Sequence, residues 1–330
     1  MQRNWSLRGV LAGLAALVVS AGAAVAQGPY PSRPVTMIVP FAAGGPSDAI
    51  ARLVAQSMSA TLGQQVVIEN VAGAGGTTGA ARLARSQPDG HTILVHHVAL
   101  AAGASLYKAL PYDTLNDIEP VGLINYGPMV LMARKGYAAA NATELLAKLK
   151  ADGVKTTLAH AGVGSNSHLC GLLIQQTLGT KLTEVAYRGT GPAMNDLVAG
   201  QVDVLCDQST TGVPQIQGGT VQGYAVTSPE RLDVVKNLPT VAEIGAPALG
   251  FVIWHGLYTP KGTPKPVVES LNAALGKALQ DTAIQARFTE VGTQTFPAAE
   301  RSPENHRARL AKELATWREV VAKAGVSIGN

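Results

Sequence analysis

The 330-residue chain has only two cysteines, Cys170 and Cys206, and aromatic residues make up 5% of it. Charge is sparse too: 15% of residues are charged, with 26 Lys and Arg against 22 Asp and Glu. Two cysteines this far apart exclude a disulfide-rich scaffold and a Cys-x-x-Cys redox or metal pair. The basic residues are scattered, without clusters or interleaved aromatics, so nucleic-acid binding has no support. A phosphate-binding P-loop is absent, since no Gly-x4-Gly-Lys-Ser/Thr string occurs. The dinucleotide fingerprint fails as well: Gly73, Gly75, Gly76 and Gly79 miss its spacing, and Val95 to Ser105 holds no acid. No cofactor is therefore expected. Catalytic signatures are missing, with no G-x-S-x-G elbow and no H-E-x-x-H, and Gly162-Val163-Gly164-Ser165-Asn166 misses the elbow spacing. Triads assemble from distant residues, but nothing local argues for an enzyme.

Long apolar runs are confined to the start. Arg3 and Arg8 precede an apolar stretch from Val10 to Ala23, broken by Gly13 and Gly22, and then Ala24-Val25-Ala26. That is the pattern of a secretory signal peptide, residues 1–26, cleaved after Ala26 to leave a mature chain from Gln27. No Cys follows it to carry a lipid anchor, and no later segment reaches the roughly 20 apolar residues of a spanning helix. Export makes an oxidising compartment, where an even pair of cysteines can bridge. Cys170 and Cys206 both read as sitting at strand–helix junctions of one domain, which favours a disulfide; the alternative is two buried thiols behaving as small core hydrophobes.

Glycine, at 36 residues, is plentiful, and its placement is informative. Val35 to Val39 runs through Pro40-Phe41 into Gly44-Gly45-Pro46-Ser47-Asp48, and Ala49 to Leu53 opens a helix. Val66 to Ile68 runs through Glu69-Asn70 into Gly73-Ala74-Gly75-Gly76-Thr77-Thr78-Gly79, and Ala80 to Leu83 opens another. Glycine permits the sharp turn, and a helix start offers unpaired N–H groups at the positive end of its dipole. Two such starts side by side make an anion cradle of backbone and hydroxyls, suited to a small carboxylate. Either turn alone is also explained as a tight strand-to-helix connection.

Strand and helix alternate along the rest of the chain, which predicts an α/β architecture with mainly parallel sheets. Strands are expected at His91–His96, Val121–Ile124, Met129–Met132, Thr156–His160, Thr183–Tyr187, Val202–Cys206, Val221–Thr227 and Phe251–Tyr258. Helices are expected over Asn141–Lys150, Leu169–Leu178, Ala193–Ala199, Pro266–Gln280 and Pro303–Ala324. The pattern restarts near residue 126, giving residues 27–125 plus 251–330 as one discontinuous domain and 126–250 as the other. The chain crosses between them near Ile124–Gly127 and Gly250–Trp254, with a cleft between the halves and Trp254 placed to sense their rotation. Ligands of open α/β sheets sit at the carboxyl ends of strands, where these turns lie.

Taken in order, several motifs resemble the periplasmic receptors of tripartite tricarboxylate transporters, the Bordetella-uptake-gene (Bug) family. They are Pro40-Phe41-Ala42-Ala43-Gly44-Gly45 with Asp48, Glu69-Asn70 with Gly73-Ala74-Gly75-Gly76, Pro88-Asp89-Gly90, Leu110-Pro111-Tyr112-Asp113 and Gly189-Thr190-Gly191-Pro192-Ala193. Ala225-Val226-Thr227-Ser228, Leu238 to Glu243, Trp254 and Gly262-Thr263-Pro264 extend the match over the whole mature chain. The resemblance implies a type II periplasmic-binding-protein fold, two α/β domains around a ligand cleft. It also implies a monomeric, non-enzymatic receptor in a Gram-negative periplasm that captures a mono-, di- or tricarboxylate, aromatic acids included. Closure over the ligand would precede delivery to membrane permease subunits. A periplasmic sensing subunit is the alternative that sequence cannot separate from transport.

Carried onto this chain, the family's carboxylate site falls on Phe41, Ala42, Gly44, Gly45 and Ser47 and on Gly75, Gly76, Thr77 and Thr78. The opposite wall would be Gly164, Ser165, Asn166, Ser167 and Tyr187, with Asp207 at the end of its strand. Arg188, where the family often has Lys, need not point inward. Among the residues read on their own, His97 stands at the cleft end of a strand, where it would either donate to a distal carboxylate or only pack and cap the turn. Asp48 reads as a brace for its helix start and His168 as structural. Ser165 and Ser167 suit a helix N-terminus. Asp207 would repel an acidic ligand unless neutralised, or accept from a ligand hydroxyl or amine.

Overall fold

The computed structural model describes residues 30–324; the proposed signal peptide lies outside the described residues. The amino-terminal half is laid out by three parallel strands, β1 (Val35–Val39), β2 (Val66–Asn70) and β3 (Thr92–His97), paired β2-β1-β3. Their side chains pack against α1 (Pro46–Leu62), α2 (Thr77–Ala84) and α3 (Ala99–Leu106). Helix α1 starts with Pro46 at its first position, where the missing N–H costs nothing, and stops at Gly63 in the left-handed region (φ 69°). Asp48 braces this start: it accepts from Gly44 N–H and from Asn70, and pairs with Arg52 one turn on.

Residues 118–134 form one strand, β4 (Ile118–Arg134), rather than the two strands expected on either side of Tyr126-Gly127-Pro128. Pro128 is tolerated because β4 changes partners there. Its first part pairs with β9 (Val252–Pro260) and β10 (Gln294–Thr295), and from Met129 onward it pairs with β7 (Val204–Gln208) and β8 (Val221–Val226). Strands β5 (Thr157–His160) and β6 (Thr183–Ala186) complete the second half, both parallel to their neighbours. All the β4 pairings and the β3–β9 pairing are antiparallel, so the sheets are mixed rather than mainly parallel. The return crossing is tied to the outgoing one by Thr227, whose hydroxyl receives Met129 N–H and donates to Phe251 C=O.

The helices of the second half are α4 (Ala142–Asp152), α5 (Asn166–Leu178), α6 (Thr190–Val198) and α7 (Ser209–Gln217); α8 (Lys265–Ala278), α9 (Thr282–Glu290) and α10 (Pro303–Ala324) return to the first. Three of these ten helices, α3, α7 and α9, have no counterpart in the sequence reading. Helix α3 is rich in Ala and has no capping side chain, and α7 carries Pro214 in its interior. Cys170 lies inside α5 and Cys206 inside β7, not at junctions; a disulfide joins them, with 6.1 Å between their Cα atoms, and pins the helix to the sheet. Trp254 pairs with Tyr126 of β4, is 1% exposed, donates from its indole N–H to Glu313 and packs against His306.

Candidate functional site

The parallel strands of both halves end at one cleft. Phe41 follows β1, His97 ends β3, Ala161 follows β5, and Asp207 and Gln208 end β7. Helix starts supply the remaining wall: Pro46 and Ser47 of α1, Ser165, Asn166 and Ser167 at the head of α5, and Thr190 at the first position of α6. Helix α7 begins immediately after Gln208. Four helix N-termini therefore converge on this narrow cleft. Each carries roughly half a positive charge and unpaired N–H groups, so the cleft favours an anion although no Lys or Arg lines it.

The side chains around it are set to donate. Ser165 caps α5 by accepting from His168 N–H, and lies 3.1 Å from Ser167 Oγ, which accepts from Ala161 N–H. One of those two hydroxyl protons satisfies the other oxygen and the second is spare. His97 stacks on Phe41 at 4.8 Å between centroids, and its Nδ1 accepts from Ala99 N–H, which leaves Nε2 as the protonated nitrogen. The β3–β9 register sets His255 directly across from His97. His255 Nε2 lies 3.1 Å from Ser47 Oγ, and its Nδ1 has no partner. A buried unpaired acceptor is less costly than a buried unpaired N–H, so the proton belongs on Nε2, where it donates to Ser47. The Ser47 hydroxyl proton is then free for a ligand.

Electrostatics follow from burial. Desolvation pushes His96 down to about 4, His255 to about 3 and His97 well below the usual imidazole value, so all three are neutral donors or acceptors at pH 7. Burial pushes Asp207 the other way, up to about 6, although Thr190 and Thr211 both donate to its carboxylate. A second titratable cluster, His160, His168 and Glu184, lies behind the cleft with ligand-type atoms within 4.8 Å of one another. Both imidazoles accept backbone N–H at Nδ1, from Gly162 and Gly164. Their Nε2 atoms are thereby held protonated, which suits donation toward Glu184 rather than metal ligation.

Of the residues proposed from sequence, the cleft wall brings together Phe41, Ser47, His97, Ser165, Asn166, Ser167 and Asp207. Others form the seam between the halves instead. Ala42 N–H donates to Arg188 C=O, and Gly45 lies against Thr190. Gly44 N–H is taken by Asp48. The second glycine turn is displaced from the cleft: a Cβ on Gly75 would stand 2.0 Å from Val163 C=O, and Gly76 is packed on His96 and Phe41. Thr77 donates back to Ala74 C=O, while Thr78 is exposed. Gly164 rests on Tyr107, whose hydroxyl donates to Val163 C=O. Tyr187 does not line the cleft, because its hydroxyl is bound to Asp196 at 2.6 Å. Pro46, Ala161, Thr190 and Gln208 line it without having been singled out for the site, and His255 supports it from behind. For Thr190 the signal was present in Gly189-Thr190-Gly191-Pro192, a glycine turn into a helix.

Residues 50–326 match the family described as TctC, tripartite tricarboxylate transporter family receptor. A relative from Agrobacterium vitis, the protein in the TAR-I ttuE-ttuC' intergenic region, is 45% identical over 92% of this chain and 87% of its own length. The solved periplasmic binding protein BugD superposes with a TM-score of 0.89 at 44% identity, covering 91% of this chain and all of that one. MatC of Rhodopseudomonas palustris, solved with bound malate, gives 0.86 at 40% identity, covering 88% of this chain and all of MatC. The chain belongs to this family of periplasmic receptors. It has the two-domain periplasmic-binding-protein fold and is a solute-binding protein, not an enzyme.

Proposed function

We propose that the chain captures a small organic carboxylate in this cleft and hands it to the permease subunits of a tripartite tricarboxylate-type transporter. The observation that carries the reading is the convergence of four helix starts and spare hydroxyl and imidazole donors on a space free of Lys and Arg. Such a site holds a carboxylate by fixed dipoles and hydrogen bonds rather than by an ion pair. The malate bound to MatC supports the same class of ligand. The two units, residues 27–125 with 251–330 and residues 126–250, close about β4 and the Thr227–Phe251 return. The working protein is an exported monomer whose leader is removed after Ala26. Among the described residues no helix is long and apolar enough to cross a membrane.

Thermal-shift and calorimetric screening of residues 27–330 against mono-, di-, tri- and aromatic carboxylic acids tests this. At least one acid should raise the melting temperature; ligand at 100 times its Kd stabilises by about 2.7 kcal/mol. No response across all four groups would refute the carboxylate reading.

A further inference from the structure

We propose that the ligand carries a hydrogen-bond donor, a hydroxyl or an amine, in addition to its carboxylate, and that Asn166 and Gln208 select it. This rests on the carboxylate reading of the same cleft. Asn166 is 2% exposed, and neither its Oδ1 nor its Nδ2 has a partner. Gln208 is 3% exposed, and its Oε1 has none either. Both line the cleft, one at the head of α5 and the other at the end of β7. The large majority of buried side-chain polar atoms in folded proteins have a partner, and among the described residues only one other buried amide oxygen, that of Asn125, lacks one. Turning the Asn166 amide over does not relieve it, because both of its ends are buried and unmatched.

An ionised, unsubstituted carboxylic acid has only acceptors. It can use the Ser47 hydroxyl, His97 Nε2–H, the spare Ser165/Ser167 hydroxyl, Asn166 Nδ2–H and the helix N–H groups, but it offers nothing to Asn166 Oδ1 or Gln208 Oε1. Asp207, between these two in the wall, adds a third acceptor and a negative charge that repels a bare carboxylate. The cleft is thus polarised. Its Ser47 and His97 side presents donors alone, and its Asn166, Asp207 and Gln208 side adds the acceptors Asn166 Oδ1, Gln208 Oε1 and the Asp207 carboxylate. A substituted acid satisfies both sides; an unsubstituted one leaves the second unmatched.

Isothermal titration of residues 27–330 with matched acids of equal chain length decides the matter: succinate against malate and aspartate, glutarate and adipate against their 2-hydroxy and 2-amino forms, propionate against lactate and alanine. The tightest-binding acid should be a substituted one, at least tenfold tighter than its unsubstituted partner, with the hydroxy and amino arms telling which donor is read. Asn166→Leu and Gln208→Met should each weaken that acid at least tenfold and its unsubstituted partner less than threefold. Equal or tighter binding of the unsubstituted acid would overturn the inference while leaving the carboxylate receptor standing. A preference that survives in both variants would also overturn it. Should a variant melt early, the comparison in the unaltered chain decides alone. If no acid of either kind binds, the carboxylate reading fails first and this one with it.

Discussion

At neutral pH the imidazoles of His96, His97, His255 and His306 are uncharged, and burial is the main reason for each. His306 shows the effect in its starkest form: it is sealed against Trp254 and Tyr258, and neither ring nitrogen has a partner. In the unfolded chain each of these groups binds a proton near pH 6.5. The folded values are lower, about 4 for His96 and about 3 for His255 and His306. Below pH 6.5 the unfolded chain therefore holds more protons than the folded one, and stability falls as pH falls through that window. Asp207 acts in the opposite direction: its folded value of about 6 lies above the unfolded one, so acidification relieves its buried charge. Several histidines outweigh one carboxylate. Calorimetric melts without ligand should drop by at least roughly 5 °C between pH 7.5 and pH 5, since about 1 kcal/mol moves Tm by 2–4 °C in a chain of this size. A melting temperature that is flat or rising over that range would mean the imidazoles are not held neutral.

The disulfide is the main cross-link at the level of elements, fastening α5, whose head lines the cleft, to β7, whose end lines it too. Closing a loop between residues 36 apart contributes on the order of 4 kcal/mol by the chain-entropy estimate. Cys170→Ser paired with Cys206→Ser should lower stability by roughly 2–4 kcal/mol and loosen the Ser165–Ser167 wall. Thiol titration of the unreduced, denatured periplasmic protein should find no free thiol; two reactive thiols would refute the bridge. Elements of this kind were legible in the sequence where a local signal marks them. The turn from Phe41 to Ser47 and the serines at the head of α5 announce helix starts by glycine, proline and hydroxyls. The Gly73–Gly79 turn carries the same signals yet stands outside the cleft, because its position is fixed by the approach of Val163 from the other half. His255 was illegible for a similar reason, since only the β3–β9 register sets it beside His97 and Ser47. Gln208 reads as a strand end like many others, and its unmatched oxygen is visible only in the fold.

For the whole molecule the question is what allows the two halves to come this close. The answer on the seam is glycine. Gly191 lies in the first turn of α6, and a Cβ there would stand 2.6 Å from Ala43 C=O in the other half. A Cβ on Gly189 would stand 2.8 Å from Ala42 N, beside the Ala42 N–H bond to Arg188 C=O. In the proposed clamp, closure favours a ligand only through contacts that the open form lacks, and these backbone approaches would be among them. Gly191→Ala separates closing from folding. Alanine suits a helical position, and the three atoms nearest its methyl group all belong to Ala43 and Gly44 of the other half. The variant should therefore melt without ligand within about 2 °C of the original chain while binding its acid at least tenfold more weakly. With saturating ligand, small-angle scattering should show the variant less compact than the original chain. Gly276→Ala, a helical glycine with open space around it, is the control and should change neither quantity. If Gly191→Ala binds as tightly and compacts as fully as the original chain, the close seam is incidental to capture, and the clamp must shut by some other contact.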